Sequence, residues 1–200
     1  MMKLFLSPTS PFARKVKVAL IEKNLYPEVE EIRVDPWSSP AELIRVNPLC
    51  QVPTLVTSEG LALANSDSIL AWLEHHCPRP ALLPAGDPER GRSLAIAAQA
   101  QGLIQYTVDI VLERRRPTSQ RSVTFVDRRM AAILRVVTAL GGEWMPLPGF
   151  GIDGIGVACA LGYLDLRLPE YPWREASPTL AHWFTAVASR PSLKASAPPT

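Results

Sequence analysis

Cysteine is scarce and scattered. The chain holds three, Cys50, Cys77 and Cys159, an odd number with no C-x-x-C pair, so neither a disulfide framework nor a dithiol redox centre is expected. No Cys/His spacing suits zinc and no metal is expected; His75 and His76 are neighbours on an expected helix and point in different directions. Each cysteine reads as a small apolar core residue with a free thiol, which fits a reducing, cytoplasmic compartment. Long apolar runs are also missing. The alanine-rich stretch from Leu94 to Leu112 is broken by Gln99, Gln101, Gln105 and Asp109, so nothing is expected to span a bilayer. The opening Met1 to Pro8 is too short for a secretory signal. Charge of one sign is absent: 21 basic residues face 19 acidic ones, a net charge of +2, which leaves no electrostatic footprint for nucleic acid or a membrane surface. What is present is enough apolar material for a core, 47% hydrophobic against 20% charged, and proline in excess of glycine, 20 to 11, which stiffens loops and helix starts.

The first part of the chain alternates strand and helix signals. Lys3 to Leu6 is a short apolar run that reads as a buried strand. Ser10 is a good N-cap and Pro11 suits the first position of the helix that follows. Val16, Ala19, Leu20 and Lys23 share its inner face, Lys15, Lys17 and Glu22 lie away from it, and Asn24 can close it. Glu28 to Val34 reads as a strand, Ala41 to Val46 as a short helix ended before Asn47-Pro48. Thr54–Thr57 and Leu61–Leu63 flank Ser58-Glu59-Gly60 as a hairpin, and Ser66 to Cys77 is helical. The order βαβαββα predicts parallel strands from the early crossover and an antiparallel pair from the hairpin. Residues 78–88, with four prolines, read as a linker. Beyond them the texture is all-α: helices over 89–116, 121–140, 155–168 and 179–189.

Three motifs sit on this frame. Ser7-Pro8-Thr9-Ser10-Pro11-Phe12-Ala13-Arg14-Lys15-Val16 forms the first strand-to-helix turn. Asn47-Pro48-Leu49-Cys50-Gln51-Val52-Pro53-Thr54-Leu55 is similar to N-P-x-G-x-V-P-x-L, and Leu63-Ala64-Asn65-Ser66-Asp67-Ser68-Ile69-Leu70-Ala71-Trp72-Leu73 to L-x-E-S-x-A-I-x-x-Y-L. In this order and spacing, with a proline-rich linker and helices after them, they resemble the glutathione S-transferase superfamily of the bacterial cytosolic type, along nearly the whole chain. The resemblance implies a thioredoxin-like glutathione-binding domain over residues 1–77, the linker over 78–88 and an all-helical domain over 89–200.

It also implies roles. A transferase must hold the glutathione thiol, with a reference pKa of about 8.5, as thiolate near neutral pH, and a helix N-terminus favours that form. Ser10 would donate its hydroxyl to the sulfur, with Thr9 the alternative donor; taken alone, the Ser-Pro pattern favours a plain N-cap, and the other two motifs tip it toward catalysis. Phe12 and Gln51 would lie against the tripeptide. Val52, before a proline that is cis in the resembled family, would pair its backbone with the cysteinyl part, strand-fashion. Ser66 at a helix start would take the γ-glutamyl carboxylate, with Asn65 and Asp67 beside it. The helical domain would wall a second-substrate pocket between the domains, with Gln105, Tyr106 and Asp109 as candidate lining. The partners implied are glutathione as co-substrate and a small hydrophobic electrophile, in a homodimer.

The chain departs from the pattern in three places. Asn65 stands where an acidic residue is usual. Cys50 replaces the glycine of N-P-x-G. The second domain's S/T-x-x-D capping box falls on Gly151-Ile152-Asp153-Gly154, where only Asp153 could cap, in a shifted register. The rival readings are a glutathione-dependent thiol–disulfide reductase, which needs a cysteine where Ser10 stands, and a non-catalytic interaction or stress protein on the same fold. The run Arg114-Arg115-Arg116 reads as a solvated helix end, and Trp144, Tyr163, Tyr171, Trp173 and Trp183 as core.

Overall fold

A computed structural model describes residues 1–199. The chain divides into two compact units: Met1–Leu83 together with the segment from Arg190 onward, and Pro84–Ser189.

The first unit is built on β1 (Met2–Leu6), α1 (Pro11–Glu22), β2 (Val29–Arg33), α2 (Ala41–Val46), β3 (Thr54–Val56), β4 (Ala62–Ala64) and α3 (Ser66–His76). The sheet order is β2-β1-β3-β4, with β1 and β2 parallel and the other pairings antiparallel. The apolar run of β1 is explained by its interior place: Leu4, Phe5 and Leu6 are buried, as is Leu55 beside them on β3. The edge strand β2 carries Glu30, Glu31 and Arg33, which accounts for its imperfect alternation. Phe5, Val34 and Leu43 form a core cluster against which Cys50, Val52 and Val56 pack, so the 50–52 turn is seated on the sheet.

Helix α1 starts at the expected cap and buries Val16, Ala19 and Leu20, with the buried Lys23 as its C-cap. It also buries Lys15, which the spacing had turned toward solvent; the side chain is 1% exposed because its ammonium reaches Asp67 on α3 at 2.6 Å. Lys23 is equally buried and satisfied: its Nζ donates to the carbonyls of Cys77 (2.7 Å) and Pro80 (2.9 Å) and pairs with Glu74 (2.8 Å). The Glu74 carboxylate accepts the N–H groups of Leu82 and Leu83. The prolines around these positions forbid helix, yet their carbonyls still bond, which is why the first unit runs to Leu83 instead of ending at residue 77.

The C-terminal segment also differs from expectation. Helix α9 (Pro191–Ala195) packs on α1, not with the helical unit. Arg190 forks onto Glu22 at 3.0 and 2.8 Å, and Arg14 donates to the Leu193 carbonyl at 3.1 Å. Among the cysteines, Cys159 is fully buried as expected, whereas Cys50 and Cys77 are only partly so.

The second unit holds α4 (Glu89–Arg115), α5 (Val123–Leu140), α6 (Ile152–Arg167), α7 (Trp173–Ala176) and α8 (Pro178–Ala188). Helix α4 buries Ser93, Ile96, Ala100, Leu103, Thr107 and Ile110, a stripe at three- and four-residue spacing. Helix α6 is buried nearly all round from Ile152 to Leu164, as a central helix must be. The two helices approach closely where Gly156 faces Ala100: a Cβ at Gly156 would lie 3.1 Å from the Ala100 methyl. Gly151 gives α6 no side-chain cap. Asp153 does not cap it in a shifted register either; its carboxylate accepts the Ser93 hydroxyl (3.0 Å) and the Leu147 N–H (2.7 Å). Among the aromatics, Trp173 and Tyr163 are buried. Among the described residues no helix is long and apolar enough to cross a membrane.

Candidate functional site

The three motifs leave the sheet of the first unit at one end. Phe5 pairs with Thr54 and Thr54 with Ala64. One line across three strands therefore ends just before Ser7–Ser10, just after Val52-Pro53, and just before Asn65–Asp67. Segments distant in sequence are brought to a common edge by strand register alone.

At the first of these, the Ser7 carbonyl accepts the Ser10 N–H at 3.0 Å, which closes the turn out of β1. Ser10 is the N-cap of α1, and its Oγ accepts the Ala13 N–H at 3.2 Å. Capping engages the oxygen as acceptor; the hydroxyl proton stays available to donate. Thr9 is half-buried and makes no side-chain hydrogen bond among the described residues. Phe12 is half-buried on the first turn of α1.

At the second, the Val52–Pro53 peptide is cis. Pro53 is buried. The turn before it is held by Asn47, whose Nδ2 donates to the Gln51 carbonyl (3.1 Å) and to Thr54 Oγ1 (3.0 Å). The Val52 backbone makes no hydrogen bond among the described residues, and the Gln51 side chain is exposed. Cys50 takes the left-handed conformation, φ 51°, which glycine would adopt without strain and which the motif's usual residue anticipates. Its thiol donates to the Pro36 carbonyl at 3.5 Å, a contact that holds it in the turn.

At the third, Asn65 is itself left-handed, φ 73°, and its Oδ1 accepts the Asp67 N–H at 2.8 Å, capping α3. Ser66, first in the helix, is 2% exposed, and its Oγ is buried without a hydrogen-bond partner among the described residues. A buried hydroxyl left unmatched costs about 1–3 kcal/mol; Arg167 Nε and Tyr171 OH share this condition among the described residues. Asp67 is half-exposed and pairs through Oδ1 with Lys15. Lys15, expected to face solvent, joins this candidate site through that contact.

Gln105, Tyr106 and Asp109 lie on α4 in the second unit and form a network there. Gln105 Nε2 donates to Asp109 Oδ1 (2.8 Å) and Arg129 Nε to Asp109 Oδ2 (3.2 Å). The Arg129 guanidinium sits 5.0 Å from the Tyr106 ring and 4.0 Å from that of Phe125, a stacked cation held between α4 and α5.

Comparison with known proteins agrees with this arrangement. The family model for the glutathione S-transferase N-terminal domain matches residues 9–76. An uncharacterised GST-like protein of Escherichia coli K12, YibF, is 33% identical over 202 residues, covering 99% of each chain. A stringent starvation protein A homologue of Haemophilus ducreyi is 32% identical over 86% of this chain and 74% of that one. In structure, a glutathione transferase family member from Pseudomonas fluorescens Pf-5, crystallised with bound glutathione, superposes with a TM-score of 0.95 at 34% identity over the full length of both chains. The fold is thus a thioredoxin-like domain followed by a helical one. The chain belongs to the glutathione S-transferase family.

Proposed function

We infer that the protein is a glutathione transferase of the serine type. Glutathione lies along the sheet edge of the first unit. Ser66 and the α3 N-terminus hold its γ-glutamyl carboxylate, and the Val52 backbone pairs with its cysteinyl residue. The thiol faces the start of α1, where the Ser10 hydroxyl and the helix dipole favour the thiolate. The thiolate attacks an electrophilic carbon, forming a C–S bond as the leaving group departs with its electron pair or, in an addition, as the acceptor carbon takes a proton. Phe12 and Gln51 pack beside the peptide, and Gln105, Tyr106 and Asp109 are assigned to the electrophile. No covalent enzyme intermediate is needed.

The observation that carries this reading is the buried Ser66 hydroxyl without a partner at the α3 N-terminus, on the same sheet edge as the Ser10 hydroxyl and the open Val52 backbone. The glutathione bound to the Pseudomonas fluorescens relative supports it. Ser10→Ala tests the chemistry. It should raise the pKa of bound glutathione by about one unit, the worth of one charge-assisted hydrogen bond, and lower turnover at neutral pH about tenfold with little loss of affinity. An unchanged thiolate absorbance titration removes Ser10 from the mechanism, and the same loss in Thr9→Ala transfers the role there. Asn65, standing where an acidic residue is usual, favours a second reading, a binding protein without turnover on the same fold. It predicts retention on immobilised glutathione with no conjugation of any electrophile in a panel.

A further inference from the structure

We propose that Asp67 supplies the carboxylate that pairs with the γ-glutamyl ammonium of glutathione, and that the buried Lys15 is the positioning residue that lets it work. The inference rests on the glutathione reading above. Asn65 is neutral, and its side-chain oxygen already caps α3 through the Asp67 N–H. Asp67, second in the helix, offers a carboxylate whose Oδ1 is fixed on Lys15 at 2.6 Å and whose Oδ2 has no partner among the described residues. The side chain is 52% exposed, whereas that of Lys15 is 1% exposed. The cation therefore cannot serve as a surface anion trap; what it reaches is the carboxylate from beneath. Beside this pair lies the unpartnered Ser66 hydroxyl.

The charges explain why a pair is needed. The γ-glutamyl end of glutathione is a zwitterion, with an ammonium and a carboxylate on one carbon. A site for it needs a negative group next to a positive one. The α3 N-terminus and Ser66 provide for the carboxylate. An unpaired aspartate one residue further on would attract the ammonium but repel the carboxylate. Lys15 offsets that repulsion and also fixes the rotamer of Asp67, so that Oδ2 is left facing outward for the ammonium.

The test compares glutathione with glutaryl-cysteinylglycine, the same peptide without the α-amino group, by calorimetric titration of the full chain. The native protein should bind glutathione about tenfold tighter, the worth of one charge-assisted contact. Asp67→Asn should abolish that preference. Lys15→Met should weaken both peptides but widen the preference, because the uncovered carboxylate repels the analogue without the compensating ammonium. Lys15→Arg should restore the native pattern. The double variant Lys15→Met/Asp67→Asn removes both charges of the pair and should behave like Asp67→Asn, so a folding defect in either single variant does not decide the result. If the native protein shows no preference, or if every variant weakens both peptides equally, the pair is only a strut between α1 and α3 and the proposal is wrong. If the native protein binds neither peptide, the glutathione reading itself falls.

Discussion

Two helices, one in each unit, carry an aspartate at their second position, and the protein treats the two oppositely. Asp153 on α6 is 1% exposed, and both its oxygens are engaged, one by the Ser93 hydroxyl and one by the Leu147 N–H. Asp67 on α3 is half-exposed, with one oxygen on Lys15 and the other open, and the residue before it buries a hydroxyl with no partner. The helix dipole favours an anion at both places. What differs is closure. Where every valence is met inside the unit, the charge serves stability. Where valences are left open at a shared sheet edge, the same element gives up stability, and on the proposed function it does so for a ligand.

Substitution should separate the two sharply. Asp153→Ala removes a buried carboxylate and strands both a hydroxyl and a backbone N–H. It should cost about 3–5 kcal/mol, since hydrogen bonds to charged groups are worth roughly 1.5–3 kcal/mol each. At this chain length that is roughly a 10 °C fall in melting temperature. Urea and thermal unfolding measure it, and a shift under about 2 °C would remove the distinction drawn here.

Ser66→Ala should act in the other direction. The hydroxyl has no internal bond to lose, so the ligand-free protein should be as stable as the native one or slightly more so. Glutathione affinity should nonetheless fall about tenfold, the loss of one hydrogen bond to a carboxylate. Thermal unfolding with and without glutathione reads both numbers in one experiment. A destabilised apoprotein with unchanged affinity would show that Ser66 belongs to the core rather than to the site.

The sequence made some of this visible and hid the rest, for physical reasons. The Ser10 cap and the helix start at Ser66 could be read because caps are local and depend on neighbours within a turn, whereas the cis bond before Pro53 followed only from the family resemblance. The strand that holds Leu4 and the stripe on α4 could be read because burial imposes a period. Lys15 could not, because a lysine in a helix pattern counts as solvent-facing until its counter-charge is known, and Asp67 lies 52 residues away. Asp153 was misread for a similar reason, its partner Ser93 being 60 residues distant. The return of the chain end to α1 was least visible of all: Arg190 and Glu22 are 168 residues apart, and nothing local in Pro191–Ala195 distinguishes a helix of one unit from a helix of the other.

That last contact gives the smallest of the expected effects and the one with a definite pH signature. Burial pushes the Glu22 carboxyl up, but the bonds from Arg190 and Ser192 outweigh it and hold the group below its ordinary value of 4.5. A carboxylate whose pKa is lower in the folded chain contributes stability above the unfolded value, and that contribution is lost as pH falls through the folded one. The Arg190 side chain is 38% exposed, so solvent screening keeps the contribution to about 1 kcal/mol or less. Arg190→Met should therefore lower the melting temperature by a few degrees at most at pH 7. The difference between native and variant should shrink below about pH 4.5 as Glu22 is protonated in both. Hydrogen exchange of the Lys194 and Ser196 amides, which bond within the segment, should speed up in the variant at pH 7 and match the native rate in acid. A stability difference that persists unchanged to pH 3 would mean that Arg190 holds the segment through something other than the Glu22 carboxylate.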